Sequence, residues 1–180
     1  MVEQETIRLT LACGQDAEGM IKNLVRRFET DNLGVIIKLG ATVHRMVIDA
    51  RVAGWDIGFE HPDDHTSLEM LDLNKLVVEI VSDFSRPPNP HVRSIGMNRA
   101  ALVVLESLSR MYGFNDPASA IWLFLNLLET FAEYTDDGFR PIKCNAEGDV
   151  HYHEELQELI RPRHTFIPSG TRSPRRMGAN

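Results

Sequence analysis

Apolar and polar residues alternate strictly over Thr6-Ile-Arg-Leu-Thr-Leu11. Ile7, Leu9 and Leu11 point one way and Arg8 and Thr10 the other, as in a strand with one buried face. The period then changes. Ala17, Met20, Ile21, Leu24 and Phe28 mark one face of a helix, with Asp16 as its expected N-cap and Lys22, Arg26 and Arg27 on its polar side. Thr30-Asp31-Asn32 forms a turn, and a second helix is expected from Leu33 to Ala53, ending at Gly54. The order strand, helix, turn, helix returns later. Val92 to Met97 is the strand, Asn98 caps a helix carrying Ala101, Leu102, Leu105, Leu108 and Met111, and Gly113 stops it. Asp116-Pro117 opens another helix, apolar almost all round from Ile121 to Phe131, as suits a core or an oligomer interface.

The two copies superpose without gaps. Ala17 falls on Ala101, Leu24 on Leu108, Arg26 on Arg110, Ile37 on Ile121 and Gly54 on Gly138, all 84 positions apart. The turns coincide as well, Asp31-Asn32 on Asn115-Asp116, and Trp55 falls on Phe139. The shared offset of strand, both helices, turn and terminal glycine favours a duplicated unit over chance similarity between two helical hairpins. Between the copies, Trp55 to Phe59 alternates like a short strand, His61-Pro-Asp-Asp64 turns, and Ser67 to Phe84 is expected as a third helix. Arg86-Pro-Pro-Asn-Pro90 closes that section. After the second copy, Phe139–Cys144 is expected to pair with Val150–His153 across Asn145-Ala-Glu-Gly148, with a short helix from Glu154 to Ile160. The chain therefore divides into 1–54, the first repeat; 55–90, a connecting strand, helix and Pro-rich linker; 91–138, the second repeat; 139–160, a hairpin and short helix; and 161–180, a tail. The expected class is mainly α with short β-strands. Two tandem strand-helix-helix repeats pair as a pseudo-dimer, each followed by a strand or hairpin extension, because a lone strand is an unsatisfied edge.

Composition narrows the partners. Over 180 residues the chain is 43% hydrophobic and 25% charged, with a net charge of −7. No apolar run approaches the ~20 residues of a membrane span, and Met-Val-Glu-Gln-Glu-Thr lacks a signal-peptide core, so no membrane partner and a cytoplasmic location are expected. The negative charge disfavours indiscriminate nucleic-acid binding but leaves room for a local basic face. Arg161, Arg163, Arg172, Arg175 and Arg176 form such a cluster in the tail, where Pro and Gly recur and no core can form. Cys13 and Cys144 suit small buried apolar positions.

The strand-helix-helix order in about 40 residues, given twice, resembles the ribbon-helix-helix family of DNA-binding repressors and plasmid-processing proteins. The tandem arrangement is similar to that of the relaxosome accessory proteins of conjugative plasmids. The resemblance implies a sequence-specific DNA-binding protein, a transcriptional regulator or a plasmid or phage DNA-processing factor. Its paired strands would lie in the major groove of double-stranded DNA. Carried over by position, Arg8 and Thr10, with Arg93 and Ser94 of the second strand, would contact bases. Thr30, Asn32 and Asn115 at the turns before the long helices would contact phosphate, with Arg161 and Arg163 adding phosphate contacts from the tail.

The second strand fits this less simply. In line with the first repeat, Arg93 falls on Leu9, the side to be buried, and only Ser94 falls on Thr10. A slip of one residue turns Arg93 outward but takes Ile95 and Met97 from the core. Asp31 and Asp116, as expected caps, oppose phosphate at both turns. A second class of function stays open: a protein-interaction or assembly module built from helical hairpins, through self-association or a protein partner, without nucleic acid.

Other chemistry is sparse. No Gly-rich phosphate loop, nucleophile elbow, HExxH or Cys-His pair stands in the chain, so neither an enzyme nor a cofactor is expected. His61 and His65, and His151 and His153, are the only groups suggesting metal, and polar loop and edge positions explain them more simply. His44 is expected as a partly exposed helical residue, and Trp55 and Trp122 as core.

Overall fold

A computed structural model describes residues 6–83 and 91–162, the side chains at 65–66 and 81–83 excepted. The order is β1 (Ile7–Cys13), α1 (Gln15–Phe28), α2 (Leu33–Val52), β2 (Trp55–His61), β3 (Asp64–Met70), α3 (Leu73–Asp83), β4 (His91–Met97), α4 (Arg99–Tyr112), α5 (Pro117–Asp136), β5 (Arg140–Asn145), β6 (Val150–Tyr152) and α6 (Glu154–Ile160). The class is mixed α and β, rich in helix, with short antiparallel strands. β1 and β4 begin at 7 and 91, α1 and α4 at 15 and 99, α2 and α5 at 33 and 117, so each pair is offset by the 84 positions read from the sequence.

Two sheets form. β1 pairs antiparallel with β4 as a two-stranded ribbon, and a four-stranded antiparallel sheet has the order β3-β2-β5-β6. Both touch the α2/α5 pair, which packs together as the centre of the molecule. α5 is buried almost all round, from Ala120 to Leu125 and at Leu127, Leu128, Phe131 and Ala132, so its apolar run serves the core. Phe59 of β2 stacks on Tyr134 and meets Phe131 edge-on, which fixes that sheet against α5. α2 packs tightly on α5 at Gly40, where a methyl group would meet the Phe124 carbonyl carbon at 2.8 Å and the Phe124 Cβ at 2.9 Å.

Local chemistry explains the ends. Asn98 accepts from the Ala101 N–H at 2.8 Å and Asp116 from the Ser119 N–H at 3.0 Å, with Pro117 at the first helical position. Two expected caps move. Gly14, not Asp16, precedes α1, and Asp16 joins Glu18 in its first turn, where acidic groups suit the helix dipole. Asn32, not Asp31, caps α2 through the Gly34 N–H at 3.0 Å. Asp31 is one residue too early to reach that N–H, and Asn32 is the position 84 before Asp116.

The expected third helix over 67–84 is also corrected. Residues 64–70 are β3, paired with β2 from His61↔Asp64 to Gly58↔Met70, and α3 begins only at Leu73. Leu68 and Leu71 look helical by spacing, but Leu68 and Met70 alternate as strand residues. The break is chemical: Asp72 takes the Lys75 N–H at 3.0 Å and caps α3. The hairpin across 145–148 forms as expected. Asn145 accepts from the Glu147 and Asp149 N–H groups, and Gly148 takes φ 90°. The Pro-rich stretch from Arg86 and the tail from Arg163 lie outside the described residues.

α1 and α4 end alike, with left-handed residues at Glu29 (φ 50°) and Gly113 (φ 73°), again 84 apart. Only Gly113 is free of the Cβ cost of that conformation. Glu29→Gly should therefore raise stability by about 0.5–1 kcal/mol, measured as a higher urea midpoint at unchanged slope. A lower midpoint would show that the Glu29 side chain outweighs the backbone cost.

Candidate nucleic-acid interface

The β1/β4 ribbon brings together two strands that lie 84 positions apart in the chain. Its register runs Ile7↔Met97, Arg8↔Gly96, Leu9↔Ile95, Thr10↔Ser94, Leu11↔Arg93, Ala12↔Val92 and Cys13↔His91. Residues directly opposite share a face. One face therefore holds Ile7, Leu9, Leu11 and Cys13 with Met97, Ile95 and Arg93, and Leu11, Cys13 and Ile95 are buried. The other holds Arg8, Thr10 and Ala12 with Gly96, Ser94 and Val92. Arg8, Thr10, Ser94 and Gly96 are exposed, and Val92 keeps 66% of its surface open.

Pairing settles the frame of β4. Ile95 and Met97 stay on the core side, so Arg93 stays there with them. It is not in the outward row with Arg8, Thr10 and Ser94, which corrects its placement as a base-reading group. Its guanidinium grips Glu18 of α1 through two bonds, Nε to Oε1 at 2.8 Å and Nη2 to Oε2 at 2.7 Å. That fork-to-fork geometry is the strong form of the ion pair. It holds the Glu18 carboxyl below the usual carboxylate range. Burial, with Glu18 close by, pushes the Cys13 thiol up to about 11, so Cys13 is no nucleophile. The places 84 residues away from Arg93 and Glu18 are Leu9 and Leu102, both partly buried apolar residues. An ion pair on one side of the ribbon thus answers to two leucines on the other.

The turns before α2 and α5 carry the expected phosphate residues. Thr30 Oγ1 accepts from the Asn32 N–H at 3.2 Å, and Asn32 in turn caps α2. Asn115 is exposed beside Asp116, whose carboxylate takes both the Ser119 N–H and its hydroxyl. At each turn a side chain already occupies an N–H that a phosphate would use, and at α5 that side chain is anionic. Arg161 is exposed and pairs with Glu158 at 3.0 Å, and Arg163 lies outside the described residues.

Matched against family models, curated proteins and solved structures, the chain finds no counterpart.

Other singled-out residues fall elsewhere. His61 accepts the Asp63 N–H and lies edge-on to Phe139, while His151 lies edge-on to Trp55. His153 precedes α6, and burial lowers its pKa. Among the described residues, no three His, Cys, Asp or Glu side chains gather as a metal site. Trp122 is buried, but Trp55 is only half-buried, with the Lys143 ammonium over its ring at 5.4 Å. Cys144 is half-buried too, its sulfur 3.6 Å from that of Met70. No described helix is long and apolar enough to cross a membrane.

His44 corrects its expected exposure. It is buried, with Nε2 2.8 Å from the Tyr112 hydroxyl of α4 and its ring tilted against Phe124 of α5. Burial pushes its pKa down to about 4. The signal was in the chain: Ile36, Gly40, Val43, His44 and Val47 follow helical spacing, and His44 belongs to that buried stripe.

Proposed function

We propose that this is a non-enzymatic, sequence-specific DNA-binding protein of the cytoplasm. Its two strand-helix-helix repeats act as a pseudo-dimer within one chain and set the β1/β4 ribbon in the major groove. A regulator of transcription or an accessory factor in plasmid or phage DNA processing fits this reading. One observation carries it. The ribbon is centred on the pair Thr10↔Ser94, and those two residues are 84 positions apart, the same offset that relates α1 to α4 and α2 to α5. Gly40 of α2 packs against Phe124 of α5, again a pair with that offset. The four-stranded sheet repeats it in the pair Gly58↔Ile142. A twofold relation through these three pairs makes one chain supply what two copies of a single repeat would. A two-stranded ribbon with polar outward side chains fits the major groove.

Within that reading, Arg8 makes the strongest base contact open to the ribbon, a bidentate bond to guanine. The measurement is fluorescence anisotropy on a duplex recovered by selection from random sequence. Arg8→Ala should weaken binding by about 1–3 kcal/mol, roughly five- to 150-fold, and relax the preference at one base pair. Equal affinity for the variant, or recovery of no duplex, would count against the reading. Thr10 and Ser94 supply hydroxyls at the centre of the ribbon, and Thr30, Asn32, Asn115, Arg161 and Arg163 are its phosphate-side candidates.

A second reading has its own support. Arg8 is the only cation among the six outward ribbon residues, on a chain of net charge −7 with an aspartate cap before α5. Those features suit a protein partner or self-association better than a polyanion. Steep loss of duplex affinity with rising salt separates the two, since a protein module shows no duplex binding to lose.

A further inference from the structure

We propose that the ribbon reads a non-palindromic site, with a guanine under one end and thymine methyl groups under the other. This rests on the DNA-binding reading and adds what the two ends recognise. The outward face has three cross-strand pairs, Arg8↔Gly96, Thr10↔Ser94 and Ala12↔Val92. A twofold axis through Thr10 and Ser94 exchanges residues 84 apart. Arg8 then takes the place of Val92, and Gly96 that of Ala12.

The starts of β1 and β4, α1 and α4, and α2 and α5 keep that offset, and the outward chemistry does not. At one end a long cation stands beside a glycine. Gly96 has no side chain to crowd Arg8, and a methyl group there would press on Thr6 Cγ2 at 3.1 Å. At the other end Val92, 66% exposed, stands beside Ala12, and neither side chain holds a donor or an acceptor. The centre, Thr10 with Ser94, offers hydroxyls that donate or accept and so discriminate weakly. Arginine distinguishes guanine by its O6 and N7 acceptors, whereas small apolar side chains in the major groove select the thymine methyl group. Arg8 and the Ala12↔Val92 pair are four residues apart along β1. At about 3.3 Å per residue that is ~13 Å, roughly four base steps.

An oligomer of identical repeats reads both halves of its site alike. One chain with two diverged repeats is free of that constraint. The inward face has diverged in the same way: Arg93 and Glu18 on one side answer to Leu9 and Leu102 on the other.

The test is selection of random duplexes by the wild-type protein, followed by base-analogue substitution in the recovered site. The expected motif has a guanine at one edge and thymine at the other, with no inverted repeat. Replacing that edge thymine by deoxyuridine should weaken binding about fourfold, the value of one methyl group taken from water. The same replacement under the Arg8 end should have a smaller effect, since no apolar side chain of the outward face lies there. Val92→Arg, at an exposed position, should select a motif with guanine at both edges. A palindromic motif from the wild type, or deoxyuridine without effect at every position, overturns this inference while leaving DNA binding intact. Recovery of no duplex overturns the DNA-binding reading and this inference with it.

Discussion

Gly40→Ala is expected to destabilise the protein by about 1–3 kcal/mol, the cost of forcing a methyl group into a closed contact. The obstacle is backbone. The new methyl would meet the Phe124 carbonyl carbon at 2.8 Å, and no rotamer change moves that group aside. α2 and α5 must separate, and α5 carries most of the buried apolar side chains of the second repeat. Packed interiors do not absorb such a shift locally. Gly19 is the control. It lies inside α1 with nothing within 4 Å of an added methyl, so Gly19→Ala should gain roughly 0.5–1 kcal/mol through helix propensity alone. Urea denaturation of both variants gives opposite signs if the central crossing is as described. Equal and small effects would mean that α2 and α5 do not meet at Gly40.

The second large effect is acid sensitivity through His44. Its folded pKa is about 4, below the 6.5 of an unperturbed imidazole, because burial penalises the charged ring. Between those values the unfolded chain binds the proton and the folded one does not. Stability is thus complete above pH 6.5 and is lost as pH falls towards 4, by on the order of 3 kcal/mol from this group. The ring faces the Tyr112 hydroxyl and Phe124, and neither offers a carboxylate to offset the charge. The position 84 residues on is Leu128, fully buried, so His44→Leu places in one repeat what the other already holds. The measured quantity is the slope of unfolding free energy from pH 7 to 4, not the absolute stability, which also feels the loss of the Tyr112 partner. The slope of His44→Leu should be shallower than that of wild type. Parallel slopes would mean that His44 protonates in place.

Local signals carried much of this architecture. Strict alternation at Ile7–Leu11, the caps at Asn98 and Asp116-Pro117 and the stop at Gly113 mark three elements within a few residues each. The 84-residue offset was visible as scattered identities and reappears in the element bounds. What was not legible depends on contacts far along the chain. Whether Arg93 faces in or out is decided by Leu11, its partner across the ribbon, and by Glu18 beneath it. Leu68 was ambiguous between helix and strand until β2 offered it an edge, because a short apolar run satisfies both periods. His44 is polar by type but occupies a buried helical stripe, and its residue type alone does not reveal that position. Of the candidate interface, alternation places Arg8 and Thr10 on the outward face, and the 84-residue offset places Ser94 on Thr10. The asymmetry of its two ends needed the register.

Amide hydrogen exchange with and without the selected duplex tests the account most directly. If the ribbon lies in the groove, slowing on DNA addition should centre on 7–13 and 91–97, with a weaker effect at the turns before α2 and α5. Slowing centred on β3 and β6 of the four-stranded sheet, with the ribbon unchanged, would contradict it.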